Sequence, residues 1–512
     1  MKTLHQCLLD YPLELLQAIS ELRLVPLTSH VRREAVEQLA AALAEPSSIA
    51  AAVASCSTLT RDALRELLRN NGRMTTHTFA RRFGELRPFG PGPMARETPW
   101  RQPASASEEL WYRALISRGF GPLGSGTTEF MFVPSDVLPH LPLVPAEPPS
   151  FELAAAAEPH FIHLAKDTLL EDTCTLLGLV QEKQAWVDHR GRWRRPSLIA
   201  LNERLLCPAG AEALDADEGG DALSLLLQIV QSLNWLREER RLLHLQADPV
   251  RTWLQSSREA QIAALWTDWR DNDGWDDLCR IPGLRCEGTW RHSPLSARHK
   301  LLVHLSRCEP HVWYAIDEFA AAVKQVDPDF LRPDGDYRSW YVRDVASGRY
   351  LRGFQHWESV EGALIGYLLT GPAHWLGAVD LGSTDRARPV PDACSPSGAY
   401  GATMFRLTST GSLLLGQTTA SGAGRTSPRM TVQPDRLILA PHGTACFDRF
   451  RLAYFAEWQA SRPEFRYHVT RESLQRAADQ GISPQRILVF LRSASDSALP
   501  ASIIRYLTQS EE

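Results

Sequence analysis

The sequence predicts a mainly α protein with small β wings, an α+β chain of tandem winged-helix-like modules followed by a small C-terminal α/β domain. Three observations predict this. Helix, tight turn and helix patterns recur along the 512 residues without a fixed period. Short apolar runs such as Glu129 to Val133, EFMFV, follow glycine-rich turns and read as strands. From Thr431 to Leu507 the chain then alternates strand, helix, strand, helix, helix. A chain of this length exceeds one hydrophobic core. Segments rich in Pro, Gly, Ser and Ala at 86–107, 142–150, 208–221, 386–399 and 418–429 suggest a hairpin over 1–45, a winged-helix-like domain over 46–145, a central tandem region over 151–385 and a terminal domain over 400–512.

Each element has a local reason. In the first hairpin, Leu15, Ile19 and Leu22 share one helical face, and Val31, Ala35, Val36 and Leu39 share a second. With Arg23, His30, Arg32 and Arg33 around its turn, this hairpin resembles a SAP-type DNA-binding hairpin; the plain alternative is a packing hairpin. Next, Thr58 or Thr60 caps a helix carrying Leu64, Leu67 and Leu68, and Asn71 with Gly72 stops it. Thr75 or Thr76 then opens a short helix held by Phe79 and Phe83, with His77, Arg81 and Arg82 expected to point outward and Arg73 at its entry. In helix-turn-helix proteins a helix of this kind enters the major groove. Residues 60–120 carry eleven arginines against six acidic residues, a local balance of +5, and the competing reading is a solvated face laced by helical ion pairs.

A second cationic candidate is the run from Trp186 to Ile199, in which Gly191 turns the chain and leaves Arg190, Arg192, Arg194 and Arg195 with His189 and Trp193 on a hairpin tip. Guanidinium groups interleaved with tryptophan suit phosphates and exposed bases, although arginine-rich tips are also ordinary soluble turns. Further helices follow from Ser296 to Leu331. The charge-free span 362–379 is interrupted by Gly371 and Pro372, which reads as a buried helix, a break and a short second segment, not a membrane helix. In the terminal domain Thr470 caps a helix, Gly481 ends it, and Ser483 with Pro484 starts another lined by Ile487, Leu488 and Leu491.

Composition narrows the chemistry. A net charge of -5 confines any nucleic-acid contact to local patches. None of the five lysines follows a glycine-rich loop; the nearest approach, Gly121 to Thr128, has Thr127 where a P-loop lysine must stand and reads as a hairpin turn. No histidine precedes Glu or Asp, and no GxSxG is present, so neither a zincin motif nor a nucleophile elbow is available. Nine cysteines without a CxxC pair read as reduced thiols of a cytoplasmic protein, and the first residues lack the apolar stretch of a signal peptide. Cys279, Cys286, His292, His299, His304 and Cys308 crowd into thirty residues at spacings that fit no zinc pattern, so no metal or cofactor is expected.

The terminal stretch carries a family resemblance. Leu437, Ile438, Leu439 and Pro441, then Phe450 and Phe455, then Tyr467, Val469, Thr470, Arg471, Glu472, Ser473 and Leu474, and finally Ala477, Gly481, Ser483, Ile487, Leu488, Leu491 and Pro500 resemble the N-terminal domain of XPB-type helicases, a module also found in bacterial proteins without a motor. The stretch from Phe83 to Ile116 and the run Trp357, Glu361, Gly371, Pro372, Trp375, Leu376 and Gly377 are similar to other parts of the same helicase-associated family. The resemblance implies a non-catalytic DNA-binding accessory protein acting beside a helicase or nuclease partner in DNA repair or transcription. Without a P-loop the family's unwinding activity does not carry over. The competing expectation is a protein-protein scaffold of winged helices with no nucleic-acid contact.

Overall fold

The computed structural model describes residues 1–29, 31–123, 126–210, 221–288, 292–384, 402–418 and 427–509, so most of the linkers expected at 208–221, 386–399 and 418–429 lies outside the described residues. About 48% of the chain is helical and 14% is strand, the strands in small antiparallel sheets, which makes the fold mixed α+β and mainly α. The chain divides into two compact units, Met1–Phe151 with Lys324–Ser339 and Glu152–Val323 with Trp340–Glu512.

In the first unit, α1 (Leu4–Leu9), α2 (Leu13–Arg23), α3 (Arg32–Leu43) and α4 (Pro46–Ala54) share one apolar core with everything up to Leu141. Arg23 and Arg32 of the first hairpin donate to the carbonyls of Arg113 and Tyr11, whereas Arg33 is exposed and pairs at the surface with Glu37, and His30 lies outside the described residues. α5 (Thr58–Arg69) is capped by Ser57, one residue before the expected threonines, because its hydroxyl is the one that accepts from the Thr60 amide. Asn71 and Gly72, at φ 54° and 77°, turn the chain into β1 (Arg73–Thr75). The Thr75 hydroxyl then accepts from the Thr78 amide and caps α6 (Thr76–Phe83). After α7 (Pro91–Glu97) and α8 (Ala106–Tyr112), β2 (Ser117–Leu123) and β3 (Gly126–Phe132) form a hairpin, and the sheet order is β1-β3-β2. Helix, strand, helix, helix and hairpin, with the first strand on the far strand of the hairpin, is a winged-helix-like order.

The second unit repeats that order twice. After β4 (Phe161–His163) come α9 (Thr168–Gln181), an extended piece at Trp186 and Val187, α10 (Arg195–Asn202), α11 (Ala222–Ser232), β5 (Leu236–Glu239) and β6 (Leu242–Leu245), with Trp186 bridged to Leu242. α12 (Ala247–Gln255), α13 (Arg258–Asp271) and β7 (Leu284–Cys286) lead to the next copy. It runs α14 (Pro294–Leu305), β8 (Trp313–Ala315), α15 (Ile316–Val326), β9 (Val342–Asp344), α16 (Ala363–Thr370), α17 (Pro372–Trp375), β10 (Val379–Ser383) and β11 (Met404–Leu407), with sheet order β4-β10-β11-β8. α18 (Ser409–Leu414) closes it.

One device recurs in all three copies. The helix before each hairpin ends in a left-handed residue, Ala114, Asn234 or Gly377, at φ 57°, 53° and 83°. The next amide reaches back to close a Schellman turn: Leu115 donates to the Leu110 carbonyl, Trp235 to Val230 and Ala378 to Ala373. The span 362–379 is thus a buried helix, a break at Gly371 and a short second helix, as its composition suggests, and among the described residues no helix is long and apolar enough to cross a membrane.

The terminal part of the second unit pairs β12 (Thr431–Val432), β13 (Leu437–Ala440), β14 (Glu457–Ala460) and β15 (Phe465–His468) in the order β12-β13-β15-β14, with α19 (Cys446–Leu452) between β13 and β14. Thr470 and Ser473 form a reciprocal capping box on α20 (Arg471–Asp479); Ser483 caps α21 (Pro484–Ala494), and α22 (Ala501–Gln509) follows. α19 lies on α9, where the Cys174 thiol donates to the Cys446 carbonyl and Arg449 to the Thr175 hydroxyl.

His374, in α17, is buried, its Nδ1 shares a hydrogen bond with the Val379 carbonyl, and burial pushes its imidazole down from 6.5 to about 4. The unfolded chain takes up a proton in that window which the folded chain refuses. The stability contribution is therefore complete above about pH 6.5 and is lost as pH falls toward about 4, by up to roughly 3 kcal/mol. Thermal melts across this window will fall more steeply for the natural chain than for His374→Gln, and parallel profiles would contradict this origin.

Candidate nucleic-acid interface

Two cationic stations follow from the sequence, and they meet different fates. On α6, Arg81 is not a free outward cation. Its guanidinium makes a bidentate pair with Asp329 at 2.6 and 2.8 Å, both side chains are largely buried, and Thr78 and Tyr337 donate to the same carboxylate. The Tyr337 ring lies 5.2 Å below that guanidinium. Arg82 pairs at 2.5 Å with the buried Glu66, which Arg69 also holds. His77 is exposed within electrostatic reach of Asp336, and Arg73 is exposed at the start of β1. The expectation that α6 projects its cations therefore fails for Arg81, because a partner 248 residues away along the chain engages it.

The second station keeps its cations at the surface. Asp188 opens an Asx-type turn, its carboxylate accepting the Arg190 and Arg192 amides at 2.8 and 3.0 Å. Gly191 sits at φ 77°, Val187 bridges to Trp193, and the Arg194 amide donates to the Trp186 carbonyl. The result is a tight loop with Arg190, Arg192, Arg194 and Arg195 exposed, the last two at the start of α10. Arg192 reaches back to Asp188 at 3.1 Å, and Arg194 donates to the Val187 carbonyl.

Backbone bonds join this loop to the wing of the same module. The Val187 amide donates to the Arg241 carbonyl, the Leu243 amide to the Ala185 carbonyl, and the Arg241 guanidinium to the Asp188 carbonyl at 2.9 Å. β5 and β6 are closed by two residues, Arg240 and Arg241, at φ 50° and 70°. Positive φ at both central positions is the type I′ pattern, which favours Asn-Gly and costs a bulky L-residue roughly 1–2 kcal/mol at each place. Arg237, Arg240 and Arg241 are exposed there beside Glu238 and Glu239, whose contacts with Arg241 and Arg237 are loose at 3.5 Å. Loop and wing together gather seven arginines against three acidic side chains, and Trp186, 42% exposed, lies on the same edge.

Arg237, Arg240 and Arg241 escaped the sequence reading, since LREERRLLHL resembles a solvated charge run and lacks the Asn, Asp or Gly that marks such a turn. The alternation of Leu236 to Glu239 against Leu242 to Leu245 around two residues was the available signal. The helices that precede the hairpins, α8, α11 and the pair α16 and α17, contain no Lys or Arg and are mostly buried.

Elsewhere in the second unit an open cavity of about 930 Å³ is lined in part by Lys166, Arg258, His442 and Arg462. Arg258 is paired with Asp167 and Glu171 there, and Arg462 donates to the Leu206 carbonyl. Among the described residues no group of three or more His, Cys, Asp or Glu side chains is placed to hold a metal ion. In comparisons with known proteins, no family model and no curated relative matches this chain.

Removing Asp329 tests the structural role of Arg81. Asp329→Ala leaves a largely buried guanidinium without its carboxylate and is expected to destabilise the first unit by roughly 3 kcal/mol in urea unfolding. An unchanged midpoint would mean that the pair contributes nothing and that Arg81 is available for other contacts.

Proposed function

We propose that the protein is a non-catalytic, nucleic-acid-binding accessory protein that grips a phosphate backbone through the loop and wing edge of its second winged-helix-like module, while a helicase or nuclease partner performs the catalysis. The observation that carries this reading is the wing tip. Arginines occupy both left-handed positions of a turn that glycine and asparagine would fill with less strain, directly against a second loop of arginines. Guanidinium groups meet phosphate oxygens with charge-assisted hydrogen bonds, and binding of this kind weakens as salt rises. The resemblance of the terminal domain to XPB-type helicases and the missing P-loop lysine support an accessory role in DNA repair or transcription. The cysteines do not support a cytoplasmic setting, because Cys207 is disulfide-bonded where wholly reduced thiols were expected.

A second reading, a protein-protein scaffold without nucleic-acid contact, has its own support. The helices before the hairpins are buried and carry no cations, and the arginines of α6 are paired internally. The two readings part on one double variant. Arg240→Asn with Arg241→Gly relieves the turn and removes two guanidiniums, so thermal stability will rise by roughly 1–2 kcal/mol while duplex DNA affinity falls, with the slope of log affinity against log salt smaller by about two. Fluorescence anisotropy measures the second effect. Unchanged DNA affinity, or natural protein that binds no DNA at low salt, would favour the scaffold.

A further inference from the structure

We infer that the small sheet of β7 and β9, with the turn that follows it, is a stacking platform for single-stranded nucleic acid, apart from the loop and wing edge. The inference rests on the nucleic-acid reading above but on different residues. Of sixteen large apolar side chains exposed among the described residues, three, Tyr341, Val345 and Tyr350, fall within ten positions of this one element. Such clustering is not what a solvated turn needs.

The geometry fixes the rings in place. The Glu287 amide donates to the Tyr341 carbonyl, and the Leu351 amide to the Val342 carbonyl, so both tyrosines are anchored by flanking backbone pairs. Asp344 caps the intervening turn by accepting the Ser347 amide, and the Gly348 amide donates to the Asp344 carbonyl. The two rings meet edge to face at 5.8 Å and 89°. The Tyr350 hydroxyl donates to Glu287 at 2.8 Å, and Arg343 holds the same carboxylate at 2.5 Å. Each tyrosine residue is still nearly half exposed, Tyr341 at 47% and Tyr350 at 45%.

Charge selects the occupant. Arg352 stands over both rings, 4.4 Å from Tyr341 and 5.5 Å from Tyr350, and Arg285, Arg349 and Arg352 are all exposed. Of the two acids there, Glu287 is engaged by Tyr350 and Arg343, and Asp344 accepts the Ser347 amide. Open aromatic rings among guanidiniums fit a chain that carries flat bases and phosphates together. A paired duplex offers no base faces to such rings, whereas a single strand does.

The test compares two probes on the intact chain: fluorescein-labelled oligo(dT) of about fifteen nucleotides, and a duplex of about twenty base pairs. Tyr341→Ala with Tyr350→Ala is expected to lower oligo(dT) affinity about tenfold or more and to leave duplex affinity within about twofold. Tyr341→Phe with Tyr350→Phe keeps the rings, removes the bond to Glu287, and will retain oligo(dT) binding. Arg240→Asn with Arg241→Gly will weaken duplex binding instead. Oligo(dT) affinity unchanged by the alanine pair, or lost equally in the phenylalanine pair, overturns the platform and leaves the loop and wing reading standing if the duplex still binds. Binding of neither probe overturns both.

Discussion

Each winged-helix-like module depends on one backbone constraint: a helix that must stop and reverse into a strand within three or four residues. Ala114, Asn234 and Gly377 meet it by adopting positive φ, and the amide after each returns to the helix to satisfy a carbonyl that would otherwise be orphaned. α5 and α9 use the same turn at their ends, through Asn71 and Lys183, where Gly72 donates to the Leu67 carbonyl and Gln184 to Leu179. Because the chain leaves these helices in a fixed direction, the first strand comes to lie on the far strand of the hairpin. In the second module this pairing brings the loop at 188–195 against the wing, and two arginine clusters separated by some forty residues of sequence become one edge.

Strain sharpens the meaning of that edge. Glycine at 377 adopts its conformation freely, whereas Arg240 and Arg241 hold theirs against the clash of Cβ with the backbone. A turn that closes a hairpin needs no arginine; the Arg241 guanidinium also ties the loop to the wing through the Asp188 carbonyl, and Arg240 is exposed beside it. The paired arginines of α6 mark the opposite case. Arg81 sits in a carboxylate fork with an aromatic ring beneath it, an arrangement that fastens Lys324–Ser339 to the rest of the first unit and withdraws the charge from solvent. Arginine count alone does not separate the two roles; the location of the nearest carboxylate does.

Much of the fold was legible because its signals are local. Thr470, Gly481, Ser483 and Pro484 punctuate α20 and α21 where their chemistry says they should, Thr75 caps α6, and Gly371 with Pro372 breaks the apolar span into α16 and α17. Three-residue strands such as β1 and β8 were beyond reach, since no alternation can establish itself over so short a run. The loop at 190–195 was legible from Gly191 and its flanking arginines. Its wing partner was not, because a type I′ turn built from Arg-Arg carries none of the residues that announce one. The hold of Asp329 on Arg81 is a tertiary fact that no local pattern encodes. It is also the reason the α6 patch looked more available than it is.

Hydrogen exchange of the intact chain with and without duplex DNA at low salt tests the central claim most directly, because it reports on both halves of the edge at once. Binding through the assembled loop and wing predicts added protection in peptides spanning 186–196 and in those spanning 236–245, reversed as salt is raised. Protection confined to α6 and β1, or DNA binding with no change in either of those segments, would contradict it.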